Sequence, residues 1–283
     1  MNHPLLSTYP TKTPYDDGTF WHTFLGVKIR KAFVSVPDDF GGMPGYDISI
    51  PATTDDHWRA TGEEIFEIID LAETAATARD TYTVMDLGAG YGRWLTHAEM
   101  FRRAFNPSVT GHYIGIEGDR THWQWMIQHF TDNGLSPYEH NLCCGVVSAK
   151  PYVWFMKNDA PAEWYGQGIR RSLDLRVPAS LRRGVSLKRL LESYKKIDLL
   201  DADLQGIELE VFTQSIKALN EKVARVHIGT HSPEIETGLR YLFGSNHWIP
   251  HFDFPGMGTR DTPHGPVSFQ DGAQSWINPR LKG

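Results

Sequence analysis

The sequence predicts an α/β protein with a doubly wound, mainly parallel sheet and helices on both of its faces. Two observations carry this prediction: short apolar runs alternate with helical patterns of ten or more residues, and a glycine-rich loop follows the first apolar run. Because neighbouring parallel strands are joined by crossovers that are usually helices, such alternation is typical of a parallel sheet. We predict one globular unit over residues 57–283, preceded by an irregular cap over residues 1–56 that is rich in Pro, Gly, Asp and Thr.

The individual elements follow from local patterns taken in order along the chain. Apolar residues recur at helical spacing at Ile65, Ile68, Ile69 and Ala72, which predicts a helix from residue 57 to about residue 79. A buried strand is predicted for the short apolar run TYTVMDL, which ends in glycines. The same reasoning predicts further strands over residues 112–117, 142–147, 197–203 and 223–229. It also predicts helices over residues 93–105, 122–133 and 207–219, and a last helix that follows the strand 223–229 and ends near residue 243.

The composition disfavours several classes of protein. The 283 residues carry a formal net charge of −6, whereas nucleic-acid-binding proteins cluster Lys and Arg against phosphates. No apolar run approaches the roughly 18–20 residues that span a bilayer, and the N-terminal segment lacks the features of a signal peptide. Cys143 and Cys144 are adjacent, so we expect small buried apolar residues rather than a disulfide framework. We expect a soluble, cytoplasmic protein without nucleic-acid or membrane partners.

One segment departs from the acidic average of the chain. Residues 170–196 hold nine basic and two acidic side chains, a local charge of +7 that leaves −13 on the rest of the chain. A solvated basic loop and helix is the simpler interpretation. The alternative is a mobile flap that draws an anionic or carboxylated substrate towards a binding cleft.

The most informative segment is the loop Asp86-Leu87-Gly88-Ala89-Gly90-Tyr91-Gly92, which lies between a predicted strand and a predicted helix. Glycines let the backbone turn tightly and approach a ligand, and in an open α/β sheet ligands bind beyond the carboxyl ends of the strands. The spacing is G-x-G-x-G rather than the G-x-G-x-x-G of dinucleotide sites, and Asp86 would repel a pyrophosphate. The same carboxylate would attract an ammonium group.

A second acidic residue, Glu117, ends the next predicted strand, 25 residues beyond Gly92. An acid at this position can accept both hydroxyl groups of a ribose. S-adenosylmethionine has a ribose and an amino-acid moiety but no phosphate, so it matches both features. The alternative interpretation is a glycine turn that happens to lie near a surface glutamate, and the joint pattern disfavours it. We therefore predict a cofactor site formed by Asp86, Gly88, Ala89, Gly90, Gly92, Glu117 and Gly118.

The sequence also resembles a known enzyme family. The FkbM-type S-adenosylmethionine-dependent methyltransferases contain successive blocks that look like VMDLGAGYGRW, YIGIEGDRTHW, IDLLDADLQGIELEVF and RVHIGTHS, over about residues 57–250. The resemblance implies a Rossmann-like methyltransferase fold and methylation of hydroxyl groups of sugars, polyketides or other metabolites. It also implies that Asp86, Gly88 and Gly90 line the methionine half of the cofactor and that Glu117 holds its ribose.

Methyl transfer to an alcohol requires that the hydroxyl proton is removed or that the oxygen is held by a metal ion. His231 follows a predicted strand at its carboxyl end, where a neutral imidazole suits a general base near pH 7; a histidine that only satisfies a turn is the alternative. His227 lies deeper on the same strand, and we expect it to be structural. Trp164-Tyr165-Gly166-Gln167 is either a wall of the active site or ordinary packing.

Two aspartates end another predicted strand and, by its period of two, point to one side. Asp201 and Asp203 are therefore candidates to orient the acceptor hydroxyl and candidate ligands of Mg²⁺. Asp203 also opens the D-x-x-G-x-E block of the resemblance, which implies a role in the site. Glu208 is either a favourable acid at a helix N-terminus or a catalytic residue.

Together these inferences predict an S-adenosylmethionine-dependent methyltransferase that methylates a hydroxyl of a small metabolite, sugar or natural product. The predicted catalytic residues are His231, Asp203 and Asp201, with Mg²⁺ as a candidate second cofactor. Two alternatives stay open: a nicotinamide-dependent oxidoreductase, which the glycine spacing disfavours, and a non-catalytic module that binds S-adenosylmethionine.

Overall fold

The computed structural model describes residues 3–10, 12, 15–34, 64–170 and 178–281. The strands, in chain order, are β1 (Tyr15–Asp16), β2 (Phe20–His22), β3 (Lys28–Arg30), β4 (Thr81–Leu87), β5 (Thr110–Glu117), β6 (Asn141–Cys144), β7 (Val146–Val147), β8 (Tyr152–Met156), β9 (Ala179–Val185), β10 (Leu199–Ala202), β11 (Arg225–Thr230), β12 (Ile249–Phe254), β13 (Gly258–Thr262), β14 (Gly265–Phe269) and β15 (Gly272–Ile277). The α-helices are α1 (Pro4–Thr8), α2 (Glu64–Thr77), α3 (Arg93–Phe105), α4 (Arg120–Asp132), α5 (Leu187–Glu192), α6 (Glu208–Lys222) and α7 (Pro233–Ser245). Within these ranges, no helix combines the length and apolarity needed to cross a bilayer.

The central sheet has seven strands in the order β12-β15-β11-β10-β4-β5-β6. The five strands from β11 to β6 run parallel to one another, and β15 runs antiparallel to both β11 and β12. The chain reverses its direction across the sheet between β4 and β10, which places a ligand crevice at the carboxyl ends of these strands. The predicted doubly wound, mainly parallel α/β fold is therefore confirmed.

Alternate residues of β4 pack into two different hydrophobic clusters, one on each face of the sheet. Tyr82 and Val84 pack with helices α2, α3 and α4, whereas Met85 and Leu87 pack with helices α5, α6 and α7. Because side chains alternate along a strand, Asp86 lies on the same face as Tyr82 and Val84. An acidic side chain of the central strand thus points into the layer that contains α2.

Several predicted elements differ from the observed ones. The predicted strand over residues 142–147 is divided into β6 and β7 at Gly145, whose N–H donates to the carbonyl of Glu117 at 2.8 Å. The expectation that Cys143 and Cys144 are buried is wrong: both are exposed, because β6 is an edge strand of the central sheet.

The N-terminal and basic segments contain more regular structure than their composition suggests. In the described part of the predicted cap, α1 is followed by a small antiparallel sheet of β1, β2 and β3. The boundary at residue 56 lies outside the described residues. The basic segment supplies β9 and α5, and β9 pairs with β7 and β8 in a separate three-stranded sheet.

An ion-pair network joins α2 to the central sheet. Asp70 on α2 is fully buried and accepts hydrogen bonds from Arg225 Nη1 at 2.6 Å and from His227 Nδ1 at 2.8 Å. The same guanidinium donates to Glu73, one helical turn further along, at 2.6 Å. Burial alone would raise the pKa of Asp70, but Arg225 and His227 hold it below its ordinary value.

Removing the cation from this network should strongly destabilise the fold. We expect Arg225→Met to lower the free energy of unfolding by about 3–5 kcal/mol, because Asp70 then stays buried without its guanidinium partner. Urea denaturation measures the change. As a matched control, Arg103→Met breaks an exposed pair with Glu99, which keeps its contact with Arg102, and should cost about 1 kcal/mol or less. Equal losses in the two variants would contradict this account.

Candidate functional site

The glycine loop after β4 adopts a conformation that favours glycine at three positions. Gly88, Gly90 and Gly92 have φ angles of 92°, 53° and 79°, a region that residues with a Cβ rarely occupy. A Cβ on Gly88 would lie 2.1 Å from the carbonyl oxygen of Asp203, so the close approach of the loop to the end of β10 also requires glycine. The loop is fixed to β5 by the N–H groups of Gly88 and Ala89, which both donate to the carbonyl of Ile116.

Glu117 lies beside this loop at the end of β5. It is 6% exposed, and its two carboxylate oxygens accept N–H groups from Gly90 at 2.7 Å and from Asp119 at 2.5 Å. Burial raises the pKa of Glu117 to about 7, against the opposing effect of these backbone donors. A carboxylate has about four acceptor positions, so Glu117 can still accept hydrogen bonds from a ligand.

Two adjoining cavities open at the carboxyl ends of the strands. The smaller, of about 50 Å³, is lined by Glu117 and Gly118 and by apolar side chains that include Val146, Phe155 and Ile169. The larger, of about 280 Å³, is lined by the glycine loop, α2 and the ends of β10 and β11. Both cavities are bounded by Gly88, Tyr165 and Asp203, so they form two lobes of one cleft.

The structure brings most of the predicted site residues to this cleft. Asp86, Ala89, Gly90, Asp201 and His231 line the larger cavity. The Trp164–Gln167 segment contributes Tyr165 and Gln167 to the walls. Sequence reasoning missed Phe155, Ile169 and Glu67, because they lie on elements whose position in the fold no local pattern indicates.

His231 is held between two carboxylates. Its Nε2 lies 3.2 Å from Asp203 Oδ1, and its Nδ1 lies 2.9 Å from Glu208 Oε1. The same oxygen of the buried Glu208 accepts the N–H groups of Leu204 and Gly206 at 3.0 and 2.9 Å. Glu208 therefore fixes the turn before α6 and also contacts His231, and a catalytic role for it stays a prediction.

This environment changes the protonation expected for His231. Burial alone would lower its pKa, but the neighbouring carboxylates of Asp203 and Glu208 outweigh that effect and raise the pKa to about 11. This arrangement favours the imidazolium form of His231 at neutral pH, so it does not support the predicted neutral general base. The carboxylate of Asp203, with 59% of its side chain exposed, is the more accessible group at the junction of the two cavities.

The two aspartates of β10 have different surroundings. Asp201 is buried and pairs in register with Asp86 on β4 and His227 on β11, whereas Asp203 lies at the rim. Among the described residues, the groups whose candidate metal ligands converge are Asp203 with Glu208 and His231, and Asp70 with Glu73 and His251. The predicted Mg²⁺ pair of Asp201 and Asp203 is not one of these groups, so its geometry gives the metal prediction no support.

The basic segment does not supply the walls of the cleft. None of its described basic residues lines either cavity. The guanidinium of Arg170 lies over the ring of Trp154, at 5.3 Å from its centre, and Lys196 pairs with Asp198 at 2.9 Å. The anionic substrate that this segment suggested stays an untested prediction.

Comparisons with known proteins find one curated relative and several solved structures that are similar to this chain. A relative from Jannaschia sp. (strain CCS1), named "Putative methyltransferase", is 28% identical over 250 residues, which cover 83% of this chain and 84% of that protein. The precorrin-6y C5,15-methyltransferase of Geobacter metallireducens GS-15 aligns with a TM-score of 0.44 and 9% identity, over 76% of this chain and 87% of that chain. The ribosomal protein L11 methylase of Lactobacillus delbrueckii subsp. bulgaricus aligns with a TM-score of 0.42 and 12% identity, over 78% of each chain. No protein-family model matches the chain, so membership of the FkbM family stays a prediction.

The contact between His231 and Glu208 can be tested by titration. We expect Glu208→Gln to lower the pKa of His231, because the variant removes one of the two carboxylates that stabilise the imidazolium. An NMR titration of the imidazole ring of His231 measures the shift. Since the folded-state pKa is raised above the ordinary 6.5, the wild-type protein should also lose this stabilisation as the pH rises towards 11. An unchanged titration in the variant would show that Glu208 acts on the backbone alone.

Proposed function

We propose that this protein is an S-adenosylmethionine-dependent methyltransferase that acts on a small molecule bound in the larger cavity. The observation that carries the proposal is the position of Glu117 beside the glycine loop, across the carboxyl ends of the adjacent parallel strands β4 and β5. A buried carboxylate held by backbone N–H groups has acceptor positions left for ribose hydroxyls. The name of the Jannaschia relative supports the same class of enzyme.

The residues of the smaller cavity fit such a cofactor. Glycine at position 118 leaves room beside the ring of Phe155, where a Cβ would come within 2.7 Å of that ring. Val146 and Ile169 provide apolar surface for an adenine base, and Glu117 would hold the ribose. When bound, S-adenosylmethionine would supply a methyl group on a sulfonium sulfur. The neutral thioether that departs is a good leaving group without further activation.

We further propose that the acceptor atom is a hydroxyl oxygen and that Asp203 receives its proton. Asp203 borders both cavities and presents an accessible carboxylate. His231 is a positioning residue in this scheme: its imidazolium holds Asp203, and Glu208 in turn holds His231. Alignment of the acceptor by the walls of the larger cavity would contribute most of the rate acceleration.

Cofactor affinity should depend on the protonation of Glu117. Hydroxyl groups donate to the carboxylate form, so the affinity for S-adenosylhomocysteine should fall about tenfold as the pH falls from 8 to 6, through the pKa of about 7. Isothermal titration calorimetry across this range measures the effect. We expect Glu117→Gln to bind more weakly and with little dependence on pH in this range. Stabilisation of the protein by NADH but not by S-adenosylhomocysteine would overturn the proposed function.

The role of Asp203 predicts a loss of turnover with retained cofactor binding. We expect Asp203→Asn to lower kcat by about 10²–10⁴-fold, because the amide cannot accept the hydroxyl proton. Formation of S-adenosylhomocysteine, followed over a panel of hydroxylated metabolites, measures turnover. Asp253→Asn, on the surface pair with Arg240, is the control with unchanged turnover. Full activity of Asp203→Asn would exclude it as the proton acceptor.

A further inference from the structure

His227 of β11 is a buried side chain that lines the larger cavity and is held by an acid behind it. It is 4% exposed, and its Nδ1 lies 2.8 Å from Oδ2 of the fully buried Asp70 on α2. Arg225 donates to the other oxygen of the same carboxylate at 2.6 Å. Asp70 is thus fixed by Arg225 and in turn fixes the orientation of the imidazole ring.

The contact with Asp70 also determines how the two ring nitrogens of His227 can bond. Although burial would raise the pKa of Asp70, Arg225 and His227 hold it below its ordinary value. The side chain is therefore an ionised carboxylate, which only accepts hydrogen bonds, so Nδ1 of His227 must carry a hydrogen atom. The other nitrogen, Nε2, then accepts a hydrogen bond when the ring is neutral and donates one when the ring is an imidazolium.

The protein leaves Nε2 of His227 without a partner. Within the described part of the chain, the side chain of His227 makes one hydrogen bond, and that bond is at Nδ1. The next residue on the same face of β11 is Gly229, which also lines the larger cavity and has no side chain to cover the ring. A buried polar atom that borders a cavity without a partner indicates that a ligand supplies one.

The same cavity holds a second polar group closer to the edge of the sheet, the carboxylate of Asp203. A Cβ on Gly229 would lie 3.9 Å from the Cβ of Asp203, so these two residues are neighbours. Since two residues of a strand advance by about 6–7 Å, His227 lies roughly that far below Asp203 along the wall of the cavity. Glycine at position 229 keeps the space between them open, so one small molecule can contact both groups.

A hydroxyl group is the ligand that suits Nε2 in this environment. Burial would lower the pKa of His227, but Asp70 and Asp201 raise it above its ordinary value, so the ring accepts a positive charge readily and disfavours a cation. An anion would meet the carboxyl groups of Glu67, Asp86 and Asp201 in the same cavity, of which Glu67 and Asp201 share a hydrogen bond. A hydroxyl group is uncharged and both donates and accepts, so it can pair with Nε2 in either protonation state of the ring.

We propose that His227 determines substrate specificity, and that its Nε2 binds a second hydroxyl group of the acceptor. The acceptor is then a neutral molecule with at least two hydroxyl groups, one at Asp203 and one at His227. This inference rests on the proposed function, of which it specifies the substrate class. Asp70 acts only through His227, so it is a positioning residue.

Four probes that share one hydroxyl group and differ at the opposite end of the ring test this assignment. They are para-hydroxybenzyl alcohol, para-cresol, para-hydroxybenzylamine and para-hydroxyphenylacetate, titrated by calorimetry into the full-length protein saturated with S-adenosylhomocysteine. We expect the alcohol to bind at least about tenfold more tightly than para-cresol, whose methyl group leaves Nε2 buried and unpaired. We expect both charged probes to bind more weakly than the alcohol. Equal affinity of the alcohol and para-cresol, or tighter binding of a charged probe, would overturn the proposal.

The variant His227→Asn separates the two ring nitrogens. Its amide group can take the place of Nδ1 and still donate to Asp70, whereas nothing replaces Nε2. We expect the preference for the alcohol over para-cresol to disappear and the affinity for S-adenosylhomocysteine to stay unchanged. His251→Asn makes the same chemical change beside Glu73, where His251 does not line the larger cavity, and it should leave the preference intact. If the preference survives in His227→Asn, whose fold is checked by circular dichroism, the assignment is wrong.

The wild-type protein provides a readout that does not depend on the folding of a variant. The nitrogen NMR shift of Nε2 reports its hydrogen bonding, so we expect it to change when para-hydroxybenzyl alcohol binds and to change little with para-cresol. The shift of Nδ1 should stay nearly constant, because its bond to Asp70 is retained. An Nε2 shift that does not respond to the bound alcohol would also overturn the proposal. Failure of S-adenosylhomocysteine to bind would instead count against the proposed function.

Discussion

The contact between α2 and the polar face of the central sheet determines the geometry of the cleft. On β4, β10 and β11 the residues in register are Asp86, Asp201 and His227, and all three are buried. They meet the acids of α2 in a layer that the hydrophobic effect alone would fill with apolar side chains. A sheet with polar residues at this depth is stable only if nearly every charge has a partner, because an unpaired buried charge costs several kcal/mol. The ion pairs therefore fix where α2 can lie, and its position sets one wall of the larger cavity.

The pairing along this layer divides it into a structural part and a part that faces ligands. At the inner end, Arg225 forms ion pairs with Asp70 and Glu73, and its positive charge offsets part of their negative charge. At the carboxyl edge of the sheet, Asp86 and Asp201 have no such partner among the described side chains. The same residue types thus stabilise the fold at one end of a helix and leave negative potential in a cavity at the other. This division explains why a chain of modest net charge holds a strongly acidic cleft, with its basic segment elsewhere on the molecule.

Much of the fold, and many of the residues that line the cleft, could be predicted from the sequence because the relevant signals are local. Strand, glycine loop and helix are consecutive at residues 81–105, and Glu117 ends the next strand. The acidic side of the larger cavity, to which Glu67, Asp86 and Asp201 contribute, could not be predicted in the same way. Asp70 and Arg225 are 155 residues apart, and the contact of Glu67 with Asp201 depends on the packing of α2 against a strand more than 100 residues away. The protonation of His231 likewise depends on Glu208, whose helix-terminal position suggested only a favourable local charge.

The two kinds of buried carboxylate in this cleft are suited to different ligands. Glu117 is surrounded by backbone N–H groups, which stabilise its charged form without adding net charge, so it can bind neutral donors such as hydroxyl groups. Glu67 is close to other acids, and burial beside them raises its pKa, so a bound proton or a cation would relieve the repulsion. The identity of the neighbours, more than the depth of burial, therefore distinguishes the site that we propose for a ribose from the acidic side of the larger cavity. The two environments lie in adjoining cavities, and they differ because the neighbours of Glu117 are main-chain N–H groups whereas those of Glu67 are acidic side chains.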